Sequence, residues 1–262
     1  MTLLPRRQLF RQMMAGGGIL ALAGCTAPNI PGLSTGEPVP EPFTNDAYTA
    51  SYTMAGRWRL EGHNGGRTGN TASTVPYGDV NVAWLQRPGN DPYGATAPIV
   101  GPERVYIAYS ESPDDTDQSE VYLAGFDAKS GEQQLEVNLE TGRAVGLALV
   151  GETLLAVTRG PDYEQTTLTA LARGDGATQW TETIPDVTGS PTVVDDTCFI
   201  ATRDEDNAVY AYTLDGTQQW RTSIDGECYT APCADSDGVY VGLADGQIVA
   251  LNTTTGEKRG RE

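Results

Sequence analysis

A short phrase recurs along this chain at a nearly constant interval, and that interval limits the fold more than any other feature. Residues 207–220 read Asn-Ala-Val-Tyr-Ala-Tyr-Thr-Leu-Asp-Gly-Thr-Gln-Gln-Trp, and a close copy ends at Trp180. Looser copies run through Val121–Leu135 and from Ile248 onward. The anchoring glycines are Gly131, Gly176, Gly216 and Gly256, spaced 45, 40 and 40 residues apart. Self-similarity at such a period marks a propeller or a solenoid.

The third copy shows what one unit contains. Ser190–Val194, Cys198–Thr202, Val209–Thr213 and Gln218–Thr222 are strand-length runs rich in β-branched and aromatic residues. Asp195-Asp196, Arg203–Asp206 and Asp215-Gly216 separate them, and Asp-Gly between two such runs is a strong hairpin signal. Four antiparallel strands in about 40 residues, repeated, make propeller blades. A two-sheet sandwich is the alternative, but it does not require a fixed period or a recurring Gly-x-x-x-Trp. The expected fold is all-β: a β-propeller of four-stranded antiparallel blades, about four repeats in a partial or minimal ring.

The repeat, with its Ser-Pro or Ala-Pro entry strand and Val-Tyr-Val strand, resembles the pyrroloquinoline-quinone-like propeller family over roughly residues 80–262. Blades are expected from about residues 96, 143, 189 and 229, after a lead-in over 57–95. Within it, Arg57-Trp58 through Arg67-Thr68-Gly69-Asn70 resembles the family's entry segment, whose Trp and turn pack against the propeller. Asp79 to Leu85 reads as an outer strand carrying a blade Trp, Trp84. The repeat's structural residues are thus Trp84, Gly131, Gly176, Trp180, Gly216, Trp220 and Gly256. Gly260 stands where the last blade needs Trp, so its outer strand is expected to be poor. Either the Trp84 strand completes that blade and closes four blades, or the ring is partial. A partial ring leaves strand edges open to self-association.

The family resemblance invites a quinone cofactor. Quinone dehydrogenases of this fold close eight blades, bind Ca²⁺ with carboxylate and amide groups, and often place two adjacent cysteines over the cofactor. Here no cysteines are adjacent and the blades are few, so no pyrroloquinoline quinone is expected. Asp114-Asp115-Thr-Asp117 and Asp204-Glu205-Asp206 could capture Ca²⁺, but neither has Asp-x-Asp-x-Asp-Gly spacing, and solvated acidic loops account for them as well. His63 is the chain's one histidine; lacking a partner, it reads as a turn residue. No Gly-x-Ser-x-Gly, paired-histidine or phosphate-loop motif is present. Asn252-Thr-Thr254 is a glycosylation sequon in a tight hairpin.

The N-terminus supplies an address. Arg6-Arg7-Gln8-Leu9-Phe10 resembles a twin-arginine export signal, followed by an apolar run from Met13 to Leu22 that is too short to span a bilayer. Leu22-Ala23-Gly24-Cys25 looks like a lipoprotein processing box, so residues 1–24 read as a signal peptide and Cys25 as the lipidated residue. Residues 25–56, rich in Pro, Gly and Thr, read as a semi-extended tether. An exported domain permits disulfides. Cys228–Cys233 and Cys198–Cys233 are both open, as are three small buried thiols.

The chain carries 35 acidic and 17 basic residues, a net charge of −18, with lysine only at Lys129 and Lys258. Such a charge disfavours nucleic acid and anionic membrane surfaces as partners. The Lys-poor acidic surface resembles that of salt-loving archaea; an ordinary acidic secreted protein is the alternative. Together these features suggest a lipid-anchored propeller outside the membrane that contacts unknown protein partners. It is similar to the lipoprotein propellers of this family that assist envelope assembly. A quinone- or metal-dependent oxidoreductase, and a degenerate propeller without a ligand, are the alternatives.

Overall fold

The computed structural model describes residues 60–61, 66–67, 83–112, 119–162, 165–203 and 206–259. The export signal, Cys25, the tether, Trp58, His63, Asp114–Asp117, Asp204, Glu205 and Gly260 lie outside them.

The strands fall into four antiparallel sheets in chain order. The first holds β1 (Pro92–Tyr93), β2 (Ile99–Val100), β3 (Arg104–Glu111), β4 (Glu120–Asp127) and β5 (Gln133–Thr141). The second holds β6 (Arg143–Val150), β7 (Thr153–Arg159), β8 (Gln165–Ala172) and β9 (Thr178–Pro185). The third holds β10 (Thr192–Val194), β11 (Thr197–Ala201), β12 (Ala208–Thr213) and β13 (Gln218–Ser223). The fourth has β14 (Cys233–Ala234), β15 (Val239–Gly242) and β16 (Ile248–Leu251). This is a partial β-propeller. In the first three sheets the ladder to the outer strand slips by one residue, at Gly125/Phe126, Ala170/Leu171 and Ala211/Tyr212. Bulges increase twist, and each comes five or six residues before an anchoring glycine.

The sheets stack face to face, so the middle strands are buried on both sides and lose polar alternation. In β11, Cys198 and Ile200 join the core shared with the second sheet, while Phe199 and Ala201 join the core shared with the fourth. β12 divides the same way: Ala208, Tyr210 and Tyr212 face one neighbour, Val209 and Ala211 the other. Between the first and second sheets, Tyr106, Leu123 and Leu135 meet Leu147, Leu154 and Leu171. Burying such side chains contributes roughly 1.5–3 kcal/mol each, so the cohesion lies between blades.

Two expectations about the ends change. Among the described residues, 83–88 form no strand and pair with no sheet, so these residues neither make an outer strand nor complete the fourth blade; residues 79–82 of the expected strand lie outside the described residues. The Trp84 indole docks against Phe126, ring centroids 6.4 Å apart. The fourth blade begins its own outer strand instead. Lys258 bridges Leu251, and the Arg259 amide donates to the Ala250 carbonyl at 2.9 Å. The first sheet also extends back into the lead-in, because Pro92–Tyr93 pairs with Ser110–Glu111.

Candidate functional site

Each anchoring glycine seats a side chain from the segment before its blade: the lead-in for Gly131 and the preceding blade for the other three. All four have positive φ, between 69° and 89°, a conformation glycine adopts without strain. A Cβ would lie 2.7 Å from the Trp84 ring at Gly131, 2.9 Å from Trp180 at Gly216, and 2.6 Å from Trp220 at Gly256. Each indole N–H donates to a carbonyl of the same turn: Trp84 to Ala128 at 3.1 Å, Trp180 to Leu214 at 2.7 Å, and Trp220 to Thr253 at 3.0 Å. At Gly176 the pattern departs. Four residues after Gly131 stands Leu135, and Leu135 and Val137 fill the place of an indole. The guanidinium of Arg104 then donates to the Gly174 carbonyl at 2.8 Å.

The blades converge on a cavity of about 850 Å³ at the inner strands. Its walls are small residues from the entry of each blade, among them Ala95, Ala144, Gly189 and Ala231. Close backbone approach requires this: a Cβ on Gly146 would lie 2.4 Å from Ser190, and one on Gly189 would lie 3.1 Å from Ala231. Thr188 and Thr192 hydroxyls donate across to the carbonyls of Thr230 and Pro232, at 2.9 and 2.6 Å.

Four guanidinium groups line this space: Arg67, Arg143, Arg159 and Arg203. Arg67 comes from the lead-in and reaches three elements. It donates to the carbonyls of Ser190 (3.0 Å) and Pro232 (3.2 Å), and pairs with Glu61 at 3.2 Å. Leu60 bridges Ala148 beside it, so the described residues Leu60 and Arg67 touch the second, third and fourth sheets; Trp58 and residues 68–70 of the expected entry segment lie outside the described residues. Arg159 lies 2.5 Å and Arg203 2.6 Å from the buried carboxylate of Asp186. Arg143 stands over the Tyr93 ring, 5.8 Å from its centre. Sequence reading missed these arginines. Arg159 ends β7 and Arg203 follows β11 by two residues, each directly after a Thr, and aligning the repeats on their second strands would have paired them.

The remaining expected residues occupy other parts of the blades. Cys198, Cys228 and Cys233 are free thiols. Cys198 faces the second sheet while Cys233 stands in the fourth, so the Cys198–Cys233 bridge is not formed. Cys228 is buried in the core between the third and fourth sheets, bridging Leu243 through the backbone. Burial pushes the Cys198 thiol up to about 12. Asp206 accepts from Tyr210 at 2.6 Å and pairs with Arg221. Among the described residues no three His, Cys, Asp or Glu side chains converge. Asn252 accepts the Thr254 and Thr255 amides through its side chain, both at 2.9 Å, capping its hairpin.

Four-stranded antiparallel sheets stacked round an axis and pinned by indole–glycine contacts define a PQQ-type propeller in partial form. The chain belongs to the family described as outer membrane protein assembly factor BamB, which matches residues 117–262. Among solved structures it is similar to quinohemoprotein alcohol dehydrogenase ADHIIG from Pseudomonas putida HK5, with 17% identity and a TM-score of 0.56, covering 79% of this chain and 40% of that one. The quinohemoprotein alcohol dehydrogenase from Comamonas testosteroni gives 15% identity and a TM-score of 0.51, covering 79% and 41%. BamB from Moraxella catarrhalis aligns over 55% of this chain and 60% of its own, with 17% identity and a TM-score of 0.29. The chain therefore spans about two fifths of the dehydrogenases, and the likeness to them is one of fold. No curated protein matches it.

Proposed function

We propose that this chain is an exported, lipid-anchored propeller that serves as a protein-interaction scaffold at the outer face of the membrane. The observation that carries the reading is the family match over the blades themselves, residues 117–262. Membership in an assembly-factor family favours binding over catalysis, and the stacked cores make a stiff support for rim loops. The fourth sheet adds a place to bind. Among the described residues its β16 is paired on the outer side only through the Leu251–Lys258 bridge and the Arg259–Ala250 hydrogen bond, and Ile248 is 76% exposed. Such an edge accepts a strand from another chain. Arg6 and Arg7 would direct export, Cys25 would carry the lipid, and residues 25–56 would hold the propeller clear of the bilayer. The acidic, Lys-poor surface would keep it soluble in concentrated salt.

The test is to purify the protein from its own membranes after mild cross-linking, then record its mass and absorbance. The expected result is a lipid adduct on Cys25, no absorbance beyond the aromatic residues, and cross-linked partners that are lost in Ile248→Arg. A stoichiometric chromophore would overturn the scaffold reading in favour of an oxidoreductase. An unmodified Cys25 in the membrane fraction would overturn the anchor.

A further inference from the structure

Four of the chain's fifteen arginines meet at one cavity in a molecule whose net charge is −18. Two of them, Arg143 and Arg159, are direct cross-strand partners between β6 and β7. Like charges placed directly opposite repel, so the fold holds together cations it would otherwise separate. Asp186 lies between Arg159 and Arg203, and Glu61 pairs with Arg67. Four guanidinium groups and a single carboxylate, that of Glu61, line the cavity itself. The Arg159 Nε–H is buried without a hydrogen-bond acceptor, although buried donors almost always find one. Arg143 is exposed over Tyr93. Small-residue walls leave about 850 Å³ of room, within the range of roughly 300–1,000 Å³ that suits small ligands.

We propose that this axial cavity binds carboxylate groups. The planar guanidinium fork matches a carboxylate with two parallel hydrogen bonds. The acidic surface elsewhere repels anions, which confines such binding to this cavity. The carboxylates belong either to a free polycarboxylate or to acidic side chains of a peptide segment inserted along the axis. The site lies apart from the open edge of the fourth sheet, so it stands or falls independently of the scaffold role.

Isothermal titration of the full chain with citrate, with tetraglutamate and with sulfate distinguishes these cases. Arg143 is the residue to vary, because it is exposed; circular dichroism confirms that each variant keeps its fold. Citrate binding assigns a free polycarboxylate, and binding of tetraglutamate alone assigns a peptide segment. In either case Arg143→Glu weakens binding about 10- to 100-fold, as expected for losing a charge-assisted hydrogen bond. Arg143→Lys, which keeps the charge without the fork, falls in between. Dissociation constants above about 1 mM for both carboxylate probes, unchanged affinity in Arg143→Glu, or sulfate binding as tightly as citrate would each overturn the proposal.

Discussion

The junction between the third and fourth blades and the junction between the first and second solve one packing problem with different side chains. At the later junction the flat Trp220 indole covers Gly256, lies 5.8 Å from the Phe199 ring, and donates to Thr253. One residue supplies the apolar cover and the hydrogen bond together. At the earlier junction those two tasks are divided. Leu135 and Val137 cover Gly176, while Arg104 donates to the turn. Glycine is needed in both, because the φ and the close approach are set by the turn and not by what lies on it. The difference teaches that the repeat specifies a glycine turn to be covered, and leaves the covering residue free to vary.

The largest effect should come from removing the indole. Trp220→Ala leaves a cavity against Phe199 and Gly256 and frees a carbonyl acceptor, at a cost of about 3–5 kcal/mol. Leu135→Ala should cost less, about 2–3 kcal/mol, because Val137 and Arg104 remain in place. Chemical denaturation of both variants measures the pair. Equal losses would show that Leu135 alone carries its junction and would break the comparison. Between these two in size is Gly216→Ala, which adds a Cβ 2.9 Å from the Trp180 ring at a φ of 89°. Strain and overpacking together cost about 2–4 kcal/mol. Combined with Trp180→Ala the clash disappears, so the double variant should lose less than the two single losses added together. Strict additivity would mean that the ring and the glycine do not share the contact.

These junctions also show what the sequence could reveal. The glycine period, the turn chemistry and the indole four residues later were all legible, because each is a local requirement repeated in place. Leu135 was legible too, as the residue standing four after Gly131. What escaped was anything assembled from several blades. Arg159 and Arg203 stand one repeat apart, but nothing in that spacing ties them to Arg67 or Arg143; only the stacking of the inner strands brings the four together. The Trp84 segment misled for the opposite reason. Its residues are good strand formers, but a strand needs a ladder partner, and among the described residues 83–88 find none. The cysteines were ambiguous because strand alternation, which points Cys198 away from the fourth sheet, depends on a register that sequence alone leaves open.

Acid sharpens the contrast between blades further. In the third blade, burial pushes the Asp206 carboxyl upward, but hydrogen bonds from Tyr210 and Arg221, with the Arg221 charge, outweigh it and hold it below the ordinary carboxylate range. A carboxyl depressed in the folded state stabilises the fold above its unfolded pKa of about 3.9, and that stabilisation is lost as pH falls through the folded value. The first blade places tyrosines against glutamates instead. The hydrogen bond to Glu120, then burial, push Tyr122 up to about 12, so its contribution is present at neutral pH and is lost as pH rises from about 10. Amides of β12 and β13 should therefore lose hydrogen-exchange protection below pH ~4 in the wild type, and Asp206→Asn should flatten that acid limb. Tyr122→Phe should leave the acid limb alone and remove part of the alkaline loss in β4. If Asp206→Asn shifts the acid limb no more than Tyr122→Phe does, the third blade's stability does not rest on that carboxylate, and the two blades differ only in how their glycine turns are covered.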